Sequence, residues 1–135
     1  MTGADLAVAA EALVGTPFRL HGRDPATGLD CVGVLAASLA ACGVPAHLPG
    51  GYALRMRTLP ELGAFVADSG FVAASGPLRP GDILLVRIAP CQFHLLVASG
   101  AGRFIHAHAG LRRVIHGDRP LDWAVIGHWR LPAGN

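Results

Sequence analysis

Apolar residues recur at helical spacing in the first half of the chain and alternate in the second. Over residues 4–14, Leu6, Ala10, Leu13 and Val14 share one face, which predicts a first helix ending at Gly15. The stretch 15–29, rich in Gly, Pro, Arg and Asp, reads as a loop. A second helix is predicted from Asp30 or Cys31, carrying Val34, Leu35, Ser38, Leu39 and Cys42 on one side, until Gly43 and Pro45 stop it. Cys42, on that apolar face, is expected in the core. Residues 44–57 read as a second loop. Thr58, Pro60 and Glu61 then supply an N-cap, a first-turn proline and a capping-box glutamate. The third helix is expected to bury Leu62, Phe65 and Val66 and to end near Gly70.

After Pro80 and Gly81 the period shortens to two. β-like runs cover Asp82–Ile88, Phe93–Ser99, Arg103–His108, Arg112–Ile115 and Trp123–Leu131, separated by Gly, Pro and Asp. Helices followed by strands predict an α+β fold, with N-terminal helices packed on a C-terminal antiparallel sheet of about five strands. A chain of 135 residues has the length of one domain, expected to span 1–135.

Composition narrows the classes of partner. A hydrophobic share of 52% and a net charge of only +2 exclude a disordered chain. No apolar stretch approaches ~18 uninterrupted residues, so no transmembrane span is expected. All eleven basic residues are arginine, scattered singly except Arg112 and Arg113, which leaves no stripe for nucleic acid. The first basic residue is Arg19, and Asp5 and Glu11 interrupt the apolar start. The N-terminus therefore reads as an amphipathic helix and not as a signal peptide. Three cysteines, at 31, 42 and 91, form neither a disulfide framework nor a C-x-x-C pair. Cys91 follows Pro90 in a loop and has no evident role.

Cys31 opens the second helix, where unpaired N–H groups and the helix dipole favour a thiolate and an oxyanion. A thiol also needs a base, most often histidine. The segment 93–108 supplies candidates as two strands joined through Gly100, Ala101 and Gly102. A three-residue loop with Gly102 in the left-handed conformation pairs Ser99 with Arg103. That register sets His94 opposite His108 and Leu96 opposite His106. All three imidazoles then share one face, with His106 ~7–8 Å diagonally from His94. This is the logic of nucleophile, base and orienting residue, with His106 or His108 as the orienter. His21, in the loop before Cys31, is expected to face water, with lining the cleft as the alternative. His116 and His128 are expected to be structural, and Trp123 and Trp129 to pack sheet against helix.

At these residues the chain resembles the NlpC/P60 family of cysteine peptidases. The resemblance lies in Gly15-Thr16-Pro17-Phe18-Arg19, Gly28-Leu29-Asp30-Cys31-Val32-Gly33, Arg79-Pro80-Gly81-Asp82-Ile83, and His94 with Gly102-Arg103-Phe104-Ile105-His106-Ala107. It runs from about residue 10 to the C-terminus and implies a reduced papain-like α+β fold. By carry-over Cys31 is the nucleophile, His94 the base and His106 the third polar member, with no cofactor and no metal. The implied activity is cleavage of the peptidoglycan stem peptide between γ-D-glutamate and the diamino acid. Asp30, Phe18 and His108 are the implied substrate-binding residues, although Asp30 equally suits a helix cap.

The stretch 22–33 looks most like the family branch encoded with phage tails and gene-transfer agents. That branch implies tail proteins as partners and delivery to the cell wall on a tail-like particle. Departures touch substrate preference. Phe18 stands where tyrosine is common, Leu20 replaces an aromatic, Val32 replaces serine after the nucleophile, and Leu96 replaces a glycine. Two other readings stand beside the peptidase. One is a catalytically inactive tail or wall-binding module. The other is a zinc site built from Cys31, His94, His106 and His108.

Overall fold

The computed structural model describes residues 1–44, 59–90, 92–99, 102–119 and 122–132, with the side chains of 59–61 left aside. The expected loop 45–57, the cap at Thr58 and Glu61, Cys91, and Gly100 with Ala101 lie outside the described residues. Three helices come first: α1 (Gly3–Glu11), α2 (Cys31–Ala41) and α3 (Leu59–Asp68). A two-residue ribbon, β1 (Arg23–Asp24) with β2 (Gly28–Leu29), interrupts the predicted loop before α2. The main sheet contains β3 (Val72–Ala73), β4 (Ile83–Ala89), β5 (Gln92–Ala98), β6 (Phe104–His108), β7 (Arg113–Gly117) and β8 (Ala124–Arg130). All its pairings are antiparallel, in the order β3-β8-β4-β5-β6-β7.

The α+β class stands as expected, with six strands in the sheet instead of five. β3 escaped the sequence reading because two residues cannot display an alternation. α1 also ends earlier than its apolar stripe. The chain turns away so that Gly15 N–H donates to the Val114 carbonyl, Val114 N–H to Thr16, and Phe18 N–H to Arg112. Those bonds to the β7 edge satisfy backbone groups that further helix would have used. Cys42 is the C-cap of α2, half-buried, with its Sγ 3.7 Å from the Asp5 carbonyl, so it is not a core residue.

Alternation divides the sheet into two faces. Ile83, Leu85, Leu95, Val97, Ile105 and Ala107 join Leu6, Ala10, Val34, Leu35, Leu39, Leu62, Phe65 and Val66 in the main core. Each fully buried side chain of this size contributes roughly 1.5–3 kcal/mol by leaving water. Trp129 packs over Gly63 at the edge of this layer, as expected. The opposite face carries a smaller cluster of Leu84, Val86, Leu96, Ala98 and Phe104, with Trp123 against it. Near its turn the β5–β6 hairpin has the register read from the sequence, but the expected pairs Leu96–His106 and His94–His108 do not form, because β6 there pairs with β7 alone. Val97 faces Ile105, Ala98 faces Phe104, Ser99 N–H donates to Arg103 at 2.8 Å, and Gly102 has φ +71°. Among the described residues no helix is long and apolar enough to cross a membrane.

Asp82 ties β4 to β8. Gly81 before it has φ +85°, and the Gly3 carbonyl fills the space of a Cβ there, so no larger residue fits the turn. The Asp82 side chain is 0% exposed yet fully bonded. It accepts from His128 Nε2 at 2.7 Å, Arg130 at 2.8 and 2.9 Å, and Arg79 N–H at 3.0 Å. Burial by itself pushes its pKa up, but the hydrogen bonds from Arg130, His128 and Arg79 together outweigh burial and lower it. The unfolded carboxylate therefore binds protons at higher pH than the folded one. The stability it contributes is present above the unfolded value of about 3.9 and is lost as pH falls through the lower folded value. Asp82→Asn is expected to cost about 3 kcal/mol in urea unfolding at pH 7, because it leaves the Arg130 guanidinium facing a neutral amide. A midpoint unchanged from wild type would remove the network from its structural role.

Candidate active site

Cys31 is the first residue of α2, and its place is set by Asp30 at the N-cap. One Asp30 oxygen accepts from Gly33 N–H at 2.9 Å and from the Arg23 guanidinium at 2.7 Å. The other accepts from His21 N–H at 2.9 Å. The carboxylate thus ends the helix and anchors the preceding loop together. The loop lies so close that the Gly22 carbonyl occupies the space of a Cβ on Gly33, and Gly28 takes φ +136°. These contacts explain physically why glycines bracket the Leu29-Asp30-Cys31-Val32 segment.

The histidines come from the other layer. His94 Nε2 lies 3.0 Å from His106 Nδ1, and their rings meet edge-on at 5.1 Å. Trp123 stands edge-to-face against both, at 6.0 Å from His94 and 5.8 Å from His106. His108 is tilted beside His106 at 6.0 Å, and its Nδ1 accepts the Leu111 N–H at 3.0 Å. The histidine bonded to His94 is therefore His106.

Helix and sheet meet where two strands part. β5 and β6 pair only at Val97–Ile105 and Ala98–Phe104, and the rest of β6 follows β7. Ala98 N–H bonds across to Asp82, so the alternation of an antiparallel ladder turns the Leu95 N–H away from β4, toward this gap. The Leu95 N–H acts on the Cys31 sulfur. Through the gap Cys31, from the helix side, shares a cavity with His94 and His106 from the opposite face of the sheet.

That cavity has a volume of about 580 Å³, within the usual range for small-molecule sites. All six residues singled out from the sequence line it: Cys31, His94, His106, Asp30, Phe18 and His108. Two others were misjudged. His21 lines the cavity instead of facing water, and Trp123 forms its wall instead of packing sheet on helix. No sequence signal marked Trp123, whose place depends on β8 reaching β4. His116 and His128 do have partners, the Ser99 hydroxyl at 2.8 Å and Asp82 at 2.7 Å.

Cys31, His94 and His106 rest uncharged. Burial, reinforced by the Asp30 charge, pushes the Cys31 thiol up to about 11 against the pull of the Leu95 and Val32 N–H groups and Arg23. Burial, then His106 and His108, holds His94 down at about 3, and burial with His108 holds His106 at about 4. The state at neutral pH is a thiol beside neutral imidazoles. Among the described residues no hydrogen bond joins the Cys31 thiol to His94. With Nε2 on His106, Nδ1 is the His94 nitrogen left for the cavity. No group of three or more His, Cys, Asp or Glu side chains among the described residues is arranged to hold a metal ion. The zinc reading therefore loses its geometric basis.

No protein-family model matches this sequence, and no curated protein sequence does either. The fold is similar to that of NlpC2 from Trichomonas vaginalis, with a TM-score of 0.69 and 16% identity over 96% of this chain. This chain spans 46% of that one's length. It is also similar to the NlpC/p60 domain of the peptidoglycan hydrolase SagA, at TM-score 0.62 and 23% identity, covering 95% of this chain and 97% of that one. The P60 domain of an antigen from M. avium subspecies paratuberculosis gives TM-score 0.61 and 18% identity, over 96% of this chain and 93% of that one. The chain thus has the NlpC/P60 fold.

Two outcomes follow from the protonation states. Iodoacetamide labelling of Cys31, followed by peptide mass spectrometry, is expected to accelerate with pH up to about 11. A rate already at plateau near neutral pH would instead mean a preformed thiolate–imidazolium pair. Between the ordinary histidine value of 6.5 and the folded values of about 3 and 4, only the unfolded chain protonates these rings. Stability is therefore expected to fall as pH drops through that window, and His94→Gln to flatten the fall in urea titrations.

Proposed function

We propose that this chain is a cysteine peptidase of the NlpC/P60 type, hydrolysing the peptidoglycan stem peptide at the γ-D-glutamyl–diamino acid bond. The observation that carries this reading is the single cavity shared by a helix-start cysteine and a hydrogen-bonded histidine pair. The fold shared with the NlpC/P60 domain of a peptidoglycan hydrolase supports the substrate class. Residues 1–135 act in this reading as one catalytic unit.

In the mechanism, substrate fills the cavity and displaces water. His94 Nδ1 takes the Cys31 proton as Sγ attacks the carbonyl carbon, while Nε2–H is held by His106 Nδ1. Charge developing on the carbonyl oxygen is met by first-turn N–H groups of α2, which have no partner within the helix. His94 then returns the proton to the leaving amine, and water hydrolyses the thioester. Generating the charged pair only when substrate is bound suits a thiol that rests neutral. Phe18 and His108 border the path of the peptide, and Asp30 reaches it from the helix cap. The likeness of residues 22–33 to the tail-encoded branch supports delivery to the wall on a phage-like particle.

The neutral thiol and the absence of a Cys31–His94 hydrogen bond among the described residues favour a second reading, a wall-binding module without activity. Mass spectrometry of muropeptides separates the two. Wild type is expected to release stem-peptide fragments cut at the γ-D-glutamyl bond. Cys31→Ala is expected to lower release by roughly four orders of magnitude, and His106→Ala to lower kcat by roughly 100-fold. Murein binding without release by wild type would establish the module reading.

A further inference from the structure

Arginines that lie far apart in the sequence are gathered by the fold at the outer edge of β7. Pro17 bridges Arg113, Phe18 N–H donates to the Arg112 carbonyl at 2.9 Å, and Val114 N–H donates to Thr16 at 2.8 Å. Arg19 follows directly, so Arg19, Arg112 and Arg113 lie on two adjacent chain segments, and each is exposed. Arg23, Arg103 and Arg130 are engaged by carboxylates, at Asp30, Asp118 and Asp82. Among the described residues no ion pair or side-chain hydrogen bond occupies Arg19, Arg112 or Arg113. No Asp or Glu occurs from Ala12 to Gly22 or from Phe104 to Gly117, so neither segment brings a carboxylate of its own. Of the acids that flank them, Asp118 pairs with Arg103, and Asp24 accepts the Ala26 N–H.

The cationic edge adjoins the cavity. In the β6–β7 ladder Arg113 stands opposite His108, and opposed residues project on the same face. His108 lines the cavity, as do Phe18 and Leu20 on either side of Arg19. We infer that this edge is a docking surface for the peptidoglycan network itself, holding stem peptides beyond the one that enters the cavity. The inference rests on the wall substrate of the peptidase reading and adds the second surface that a polymeric substrate meets. A γ-linked glutamate keeps its α-carboxylate free, so a network of stem peptides is a polyanion. Guanidinium groups match carboxylates in charge and in planar geometry. Exposed cations without local carboxylates set up a positive field beside the cavity mouth, which attracts such a polymer and retains it. The contact raises affinity for the insoluble wall and leaves turnover of a short soluble peptide alone. Because the charges are exposed, salt screens the attraction.

The test is cosedimentation of the Cys31→Ala protein with peptidoglycan sacculi stripped of attached phosphodiester polymers. Combining Arg19→Gln, Arg112→Asn and Arg113→Gln is expected to weaken binding roughly tenfold at low salt and to flatten its salt dependence. Asn is chosen at position 112 because the backbone there has φ +58°, which that residue tolerates. Arg19→Lys, Arg112→Lys and Arg113→Lys together are expected to keep most of the affinity, which separates charge from folding. Converting the free carboxylates of the sacculi to carboxamides is expected to reproduce the loss for the arginine-bearing protein and to add none to the neutral variant. With Cys31 restored, the neutral variant is expected to cleave a short soluble stem peptide at wild-type kcat and KM, while its KM for sacculi rises. Equal binding by the arginine-bearing and neutral proteins, or equal binding to native and carboxamide sacculi, would overturn the proposal. Binding only to sacculi that retain their phosphodiester polymers would overturn it too, by assigning the edge to those polymers. Cleavage of neither soluble peptide nor sacculi, with arginine-dependent binding intact, would refute the peptidase reading and leave the docking surface standing.

Discussion

The Asp30 carboxylate receives hydrogen bonds from the first turn of α2, from Arg23 and from the His21 backbone. Nearly everything about the site depends on that convergence. It starts the helix at Cys31, folds the β1–β2 ribbon back onto the helix, and seats the sulfur beside the gap between β5 and β6. The same carboxylate is one of the reasons the thiol stays protonated, since a second negative charge beside it is unfavourable. Positioning of the Cys31 thiol and its retention of the proton therefore both involve one residue, which caps the helix and also lines the cavity.

A second constraint is the parting of β5 from β6. A ladder continued to His94 would close the sheet and separate the helix face from the histidine face. Ending the pairing at Val97 leaves the Leu95 N–H outside the β5–β6 ladder, and side chains from opposite sides of one sheet border a common space. The cost is a set of buried imidazoles. Desolvation holds them neutral, and Trp123 against both rings contributes to that burial. The neutral Cys31 thiol and His94–His106 pair are a consequence of how the layers meet.

Much of this was legible locally. α2 announced itself through its cap, its apolar spacing and the glycine that ends it, because each signal lies within a few residues of the bond it makes. The hairpin register followed from the left-handed requirement at Gly102 and a period of two, which together placed His94, His106 and His108 on one face. β3 and the β1–β2 ribbon were not legible. Two-residue strands exist through partners such as Arg130 and Leu29, not through any pattern of their own. The extent of α1 was misread for the same reason, since pairing at the β7 edge ends it.

The sequence by itself determined which residues could be chemical and which face each would take, because caps, turns and strand parity act over a few bonds. Only the tertiary structure decided that His106 and not His108 holds His94, that His108 is turned by Leu111, and that Trp123 and His21 complete the cavity. It also set the protonation of Cys31, His94 and His106. Those outcomes depend on desolvation and on contacts between residues tens of positions apart, and such terms have no value until the layers are packed.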